Sequence, residues 1–311
     1  MEVFDMHADI GYDVMQKRKQ GYHGDILKRF HVDKLRKGGV SFLCMACNFE
    51  GEESWQDMQE MILALKEEIA SCEDVDLILD KDTLLLDNGH IKAIITVEGM
   101  CGIREDAAIK VEWLYQQGVR IASLCWNDEN ALASGVRGNK EHGLSEMGRE
   151  VIEKMMELNM AIDVSHANEK TFWDIMQYKN AVVLATHSNA RDLCEHPRNL
   201  YKDQMKAIQE HQGIIGIVSA PFFVHEDKEK QDMKHMIEHM KYIGDVIGMD
   251  HICLGLDYMD FYEGYDEIHV KDLNDASFTQ ALLKEMDKEL DEINVAMIAL
   301  GNALRFLAKI I

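Results

Sequence analysis

Residues Met160–Leu200 read MAIDVSHANEKTFWDIMQYKNAVVLATHSNARDLCEHPRNL, with two short apolar runs, Ala161–Val164 and Ala181–Ala185. Each run leads into a histidine, His166 and His187, and Glu169–Tyr178 between them is long enough for one helix. Strand, helix and strand at this spacing make a βαβ unit, so the two strands are expected to run parallel. A parallel sheet presents its ligands at the carboxyl ends of its strands. His166 and His187 both stand there, and two imidazoles at one mouth suggest a divalent metal; two unrelated loop histidines is the plainer reading of this stretch alone. Arg198 follows His187 by eleven residues and is a planar cation suited to gripping a carboxylate.

Working outward, six more segments read as strands. Val3–Asp9 (VFDMHAD) ends in His7 and Asp9, an i, i+2 pair that points to one side of a strand. Val40–Asn48, Ile91–Val97, Val119–Leu124, Gly213–Ser219 and His251–Leu256 follow, the third of the eight ending at Glu98 and the last at Asp257. Between them, segments such as Glu60–Ser71, Ile109–Gln117, Leu144–Leu158 and Met233–Ile247 carry apolar residues at helical spacing, and Ser277–Ile311 reads as a closing helical segment. Eight strands alternating with helices predict a single (β/α)8 TIM barrel over residues 1–311, with no repeat or low-complexity linker to divide it.

Several features are read as having no catalytic role. The Gly-rich loop Gly135–Gly143 matches no phosphate cradle and reads as a mobile cover over the strand ends. His235 and His239 are four apart on a helix, but no Glu completes an H-E-x-x-H, so they read as a solvated face. Cys44 and Cys47 sit three apart on a strand and so face opposite sides, which makes them structural rather than metal or redox partners.

The formal charge of -23 over 311 residues excludes nucleic acid, which needs clustered Lys and Arg, and disfavours anionic membrane surfaces. The opening MEVFDMHADI carries acids where a secretory signal has an apolar core, and the longest apolar runs are strand-sized. Seven scattered cysteines fit reduced thiols better than a disulfide framework, so a cytoplasmic protein is expected, with no membrane partner.

In a barrel, the strand-end residues His7, Asp9, Glu98, His166, His187 and Asp257 form one ring around one mouth. Three imidazoles and the carboxylates suit a pair of divalent ions, zinc first, and Glu98 with its two oxygens can bridge them. A bridged pair lowers the pKa of the water between its ions and yields hydroxide near neutral pH.

The chain resembles the membrane dipeptidase (renal dipeptidase) family of zinc metallopeptidases, within the amidohydrolase-type barrels. The matching segments are D-M-H-A-D at Asp5–Asp9, V-E-G at Val97–Gly99, G-L-S-E-M-G-R-E-V at Gly143–Val151 and M-A-I-D-V-S-H at Met160–His166. They continue with T-H-S-N-A-R at Thr186–Arg191, P-R-N at Pro197–Asn199 and G-N-A-L-R at Gly301–Arg305. The resemblance implies that His7, Asp9 and Glu98 hold one zinc, and Glu98, His166 and His187 the other. It further implies that Asp257 takes a proton from the bridging water and passes it to the leaving amine, and that Arg198 clamps the substrate's terminal carboxylate.

Two positions depart from the family's pattern. Trp126 stands after the fourth strand where the family often has a histidine touching the scissile carbonyl, and an indole N–H carries no charge. Oxyanion stabilisation is then expected to rest more on the metals, or on His142 from the Gly-rich loop. Asp257-Tyr258-Met259-Asp260 also replaces the frequent D-F-D-G. The expected function is therefore hydrolysis of dipeptides with a free C-terminal carboxylate, in a monomer or homodimer. Two other readings are a hydrolase of another small amide, such as an N-acyl amino acid, and a catalytically silent metal-binding relative. The presence of Asp257 weighs against the silent relative.

Overall fold

The computed structural model describes residues 1–262 and 268–311. Among the described residues, nine strands pair in parallel: β1 (Val3–Ala8), β2 (Val40–Asn48), β3 (Val75–Leu77), β4 (Ile91–Glu98), β5 (Val119–Ala122), β6 (Ala161–Asp163), β7 (Val183–Leu184), β8 (Ile215–Ile217) and β9 (Ile252–Leu254). The order is β7-β6-β5-β4-β2-β1-β9-β8, and a parallel bridge between Ala185 and Ile215 joins its two ends. The result is the (β/α)8 barrel that the alternation predicts, closed by eight of the strands. The ninth, β3, pairs with Ile91–Ala93 at the start of β4, below the point where β5 begins to pair at Ile95.

The barrel interior is layered by the two-residue period of its strands. Cys44, Ile94, Ile121, Ala161, Leu184 and Cys253 belong to one buried apolar cluster near the strand starts. Two residues further along, Thr96, Ser123, Asp163 and Thr186 are all buried and polar. Two further again, Asn48, Glu98 and Asp257 reach the mouth. The chain thus changes from apolar to ionisable along one direction, which confines the chemistry to the carboxyl end.

The opposite end is sealed by the C-terminal helix Asn302–Leu307, whose Ala303, Phe306 and Leu307 join the same apolar cluster. Truncating the fully buried Phe306 ring to Ala would cost about 3–5 kcal/mol by transfer and cavity terms. Asn302 Nδ2 ties this helix to the barrel by donating to the Met249 and Ile252 carbonyls at 2.8 and 2.7 Å.

Two local readings are revised, and one strand adds to the eight expected. His239, expected on a solvated face, is 1% exposed. Its Nδ1 accepts from the Ala190 N–H at 3.0 Å and its Nε2 lies 2.8 Å from the Val224 carbonyl, so it pins two loops to the helix Met233–Ile247. The Gly135–Gly143 loop covers the strand ends in part, with Val136 and Arg137 lining the cavity, but its far end is anchored: Asn168 Nδ2 donates to its Asn139 and His142 carbonyls. The strand β3 was not foreseen.

Candidate active site

Glu98 ends β4 and stands between two groups of ligand-type atoms. Its Oε1 lies 2.6 Å from His166 Nε2 and 3.3 Å from His187 Nε2, and those two nitrogens are 3.0 Å apart. Its Oε2 lies 3.7 Å from His7 Nε2, which is itself 3.6 Å from Asp9 Oδ1 and 3.8 Å from Asp257 Oδ1. All six residues are buried and come from five separate strand ends.

The donor set fits divalent cations. His7 Nε2 and Asp9 Oδ1 are buried with no hydrogen-bond partner, a costly arrangement for polar atoms unless a cation satisfies them. Other side chains aim the ligand atoms inward. Asn127 Oδ1 sits 3.0 Å from His166 Nδ1, which places that ring's proton on Nδ1 and its lone pair on Nε2. Tyr262 Oη donates to Asp9 Oδ2 at 3.1 Å, leaving Oδ1 to face His7.

Burial and mutual charge dominate the electrostatics. Burial alone would raise Glu98, but the His166 and His7 imidazoles hold it well below the usual carboxylate range. Burial would depress His7, yet Glu98, Asp9 and Asp257 together lift it well above its ordinary value. Burial and Arg198 push His166 down to about 4. Asp257 is pushed up to about 7 by burial, against the opposing pull of His7. Asp257 also adopts a left-handed backbone with φ of 57°, a conformation that Asp and Asn tolerate better than other side chains and that recurs at functional positions.

Asp9, Glu98, His166, His187 and Asp257 line a cavity of about 450 Å³, within the range of small-ligand sites. Arg198 is 5% exposed; its Nη1 donates to the Ser165 carbonyl, its Nη2 lies 2.9 Å from His166 Nε2, and its guanidinium lies 5.4 Å from the Phe223 ring. Trp126 lines the same cavity, stacked 5.9 Å from the His166 ring. His142 does not reach the cavity. Its side chain is largely exposed, with Nδ1 2.9 Å from Glu129 Oε1. The rim cation is instead Arg137, 4.9 Å over the Trp126 ring. Sequence reasoning passed over Asn127, Tyr262, Phe222 and Phe223, which the structure brings to the cavity.

The sequence profile described as membrane dipeptidase, peptidase family M19, matches residues 1–310. The chain belongs to this family. A dipeptidase of Claviceps purpurea is 26% identical over 226 residues, covering 72% of this chain and 52% of that protein. An uncharacterised dipeptidase of Schizosaccharomyces pombe is 31% identical over 222 residues, covering 70% and 52%. The alignments span about half the length of the curated relatives. Among solved structures, a metallopeptidase from Rhodobacter sphaeroides, liganded with a phosphinate mimic of the dipeptide L-Ala-D-Ala, superposes with a TM-score of 0.85 at 21% identity. That superposition covers 100% of this chain and 99% of the other, and it supports the barrel fold. Among the described residues, no helix is long and apolar enough to cross a membrane.

Proposed function

We propose that this chain is a metal-dependent dipeptidase that cleaves dipeptides bearing a free C-terminal carboxylate, with two zinc ions as its cofactors. His7, Asp9 and Glu98 would hold one ion, and Glu98, His166 and His187 the other. The observation that carries this reading is the division of Glu98, with one oxygen toward each group of ligand atoms. Mixed imidazole and carboxylate donors favour zinc among the common divalent ions. Bound there, the ions supply Lewis-acid polarisation of the peptide carbonyl and acidify water.

The rest of the chemistry belongs to the chain. Asp257, buried and lifted to about 7, can hold or release a proton at neutral pH. It takes one from the attacking water at its carboxylate oxygen and returns it to the leaving amine. Arg198 offers a fixed guanidinium to the substrate's terminal carboxylate, shielded by the Phe223 ring. The cavity's size suits a dipeptide, and the dipeptidase names of the fungal relatives support the same substrate class.

The test pairs elemental analysis with a dipeptide panel, each dipeptide supplied free and as its C-terminal amide. About two zinc per chain and a strong preference for the free carboxylate are expected. Protein that takes up no metal on reconstitution defeats the reading. Equal rates on amides and acids would move the assignment to the hydrolase of another small amide.

A further inference from the structure

Thr186 lies between the two groups of ligand atoms, 1% exposed, and its hydroxyl touches a histidine from each. Thr186 Oγ1 is 2.8 Å from His187 Nδ1 and 3.5 Å from His7 Nδ1, the second at the long end of hydrogen bonding. It is also 2.6 Å from Asp163 Oδ2. Asp163 is buried and accepts three further hydrogen bonds. These come from the Ser165 N–H at 3.0 Å, the Ser165 hydroxyl at 2.6 Å and the Thr186 N–H at 3.0 Å.

Counting protons fixes the direction of every bond. A hydroxyl has one proton and two lone pairs, whereas an ionised carboxylate only accepts. The other three donors all lie on Oδ1, and the ionised Oδ2 can only accept, so Asp163 takes the Thr186 proton. The Ser165 proton is likewise directed to Asp163, so the 3.3 Å contact between the two hydroxyls has no proton to share. Both lone pairs of Thr186 then face imidazoles, and each can only accept an N–H. In the neutral form that a metal ligand must take, His7 and His187 are therefore held with their proton on Nδ1, and their bare Nε2 atoms face Glu98.

We infer that the Thr186 hydroxyl, oriented by Asp163, is a positioning group shared by both metal subsites: it sets the tautomer of one ligand histidine in each. This rests on the two-ion reading of the site and deepens it. Partners of this kind behind a metal ligand are worth about 10- to 100-fold in metal affinity. A single hydroxyl serving two ligands ties the loading of both positions to one side chain.

The test measures zinc affinity at both positions, by competition with a chromophoric chelator, on metal-stripped wild type, Thr186→Val and Thr186→Ser. Unfolding temperatures of the stripped proteins report whether each variant keeps its fold. Expected are two ions for wild type, about 10- to 100-fold weaker binding at both positions in Thr186→Val, and recovery to within a few-fold in Thr186→Ser. Unchanged affinity in Thr186→Val overturns the inference. So does a loss confined to one position, which removes the shared role, or a failure of serine to rescue, which removes the hydroxyl as the agent. Should Thr186→Val not fold, Asp163→Asn decides: its amide frees the Thr186 proton to turn toward the imidazoles, and the same paired loss is expected, with intact binding overturning the inference. Wild type that takes up no ion defeats the two-metal reading itself, and this inference with it.

Discussion

Arg198 presents Nη2 to His166 Nε2 across 2.9 Å. The same nitrogen lies 2.6 Å from Glu98 Oε1, so a guanidinium stands beside the lone pair that a metal ion would use. An imidazole lone pair serves one cation at a time. The guanidinium, always charged, is then left to serve an anion entering the cavity.

Arg198→Ala should accordingly keep its zinc while losing its substrate preference. A charge-assisted bidentate pair is worth on the order of 2–3 kcal/mol, so kcat/KM on free dipeptides should fall about 30- to 150-fold. Rates on the C-terminal amides should barely change. Loss of zinc in this variant would assign Arg198 to the metal centre instead.

Glu98 and His187 should differ in how many ions they hold. His187→Ala removes one ligand from one group and should cost about one zinc per chain. Glu98→Ala removes the carboxylate that faces both groups and should cost both. Elemental analysis after exhaustive dialysis reads the difference directly, and equal losses would contradict the divided role of Glu98.

The barrel was legible because its strands are short apolar runs that each stop at a polar residue, and the ligand set because those stops are His, Asp and Glu. β3 escaped notice because three residues, Val75–Leu77, are too few to show a period. His239 was misread from its charged neighbours, although it falls on the Met236 and Ile243 stripe of its helix, a signal that could have placed it inside. Tyr262 and Asn127 leave no such trace. They lie in irregular segments after β9 and β5, where side-chain direction follows from tertiary packing alone.

Closure of the barrel depends on two glycines around Thr186. A Cβ on either Gly216 or Gly255 would fall on the Thr186 carbonyl oxygen, a backbone atom that cannot move aside. Gly255→Ala should therefore destabilise the fold by at least the usual overpacking cost of about 1–3 kcal/mol. A lowered unfolding temperature with weakened zinc binding is the expected outcome. An unfolding temperature equal to wild type would show that the seam relaxes freely.

Asp257 separates an enzyme from a metal-holding relative, and Asp257→Asn probes it cleanly because asparagine also tolerates the left-handed backbone at this position. In the zinc-loaded protein this variant should retain its metal and lose about 10²- to 10⁴-fold in kcat, the usual contribution of a positioned acid–base. A second arm uses chelator-stripped protein. The unfolded carboxyl titrates near about 4, whereas in the fold burial lifts it to about 7. Between those values the native state holds a proton that the unfolded state has released, so this group lowers stability as pH rises through the window. Asparagine does not ionise. The unfolding temperature of Asp257→Asn relative to wild type should therefore climb from about pH 4 to about pH 7 and then level off. A flat difference would place the carboxyl in an ordinary environment, and full zinc with unchanged turnover would remove Asp257 from the reaction.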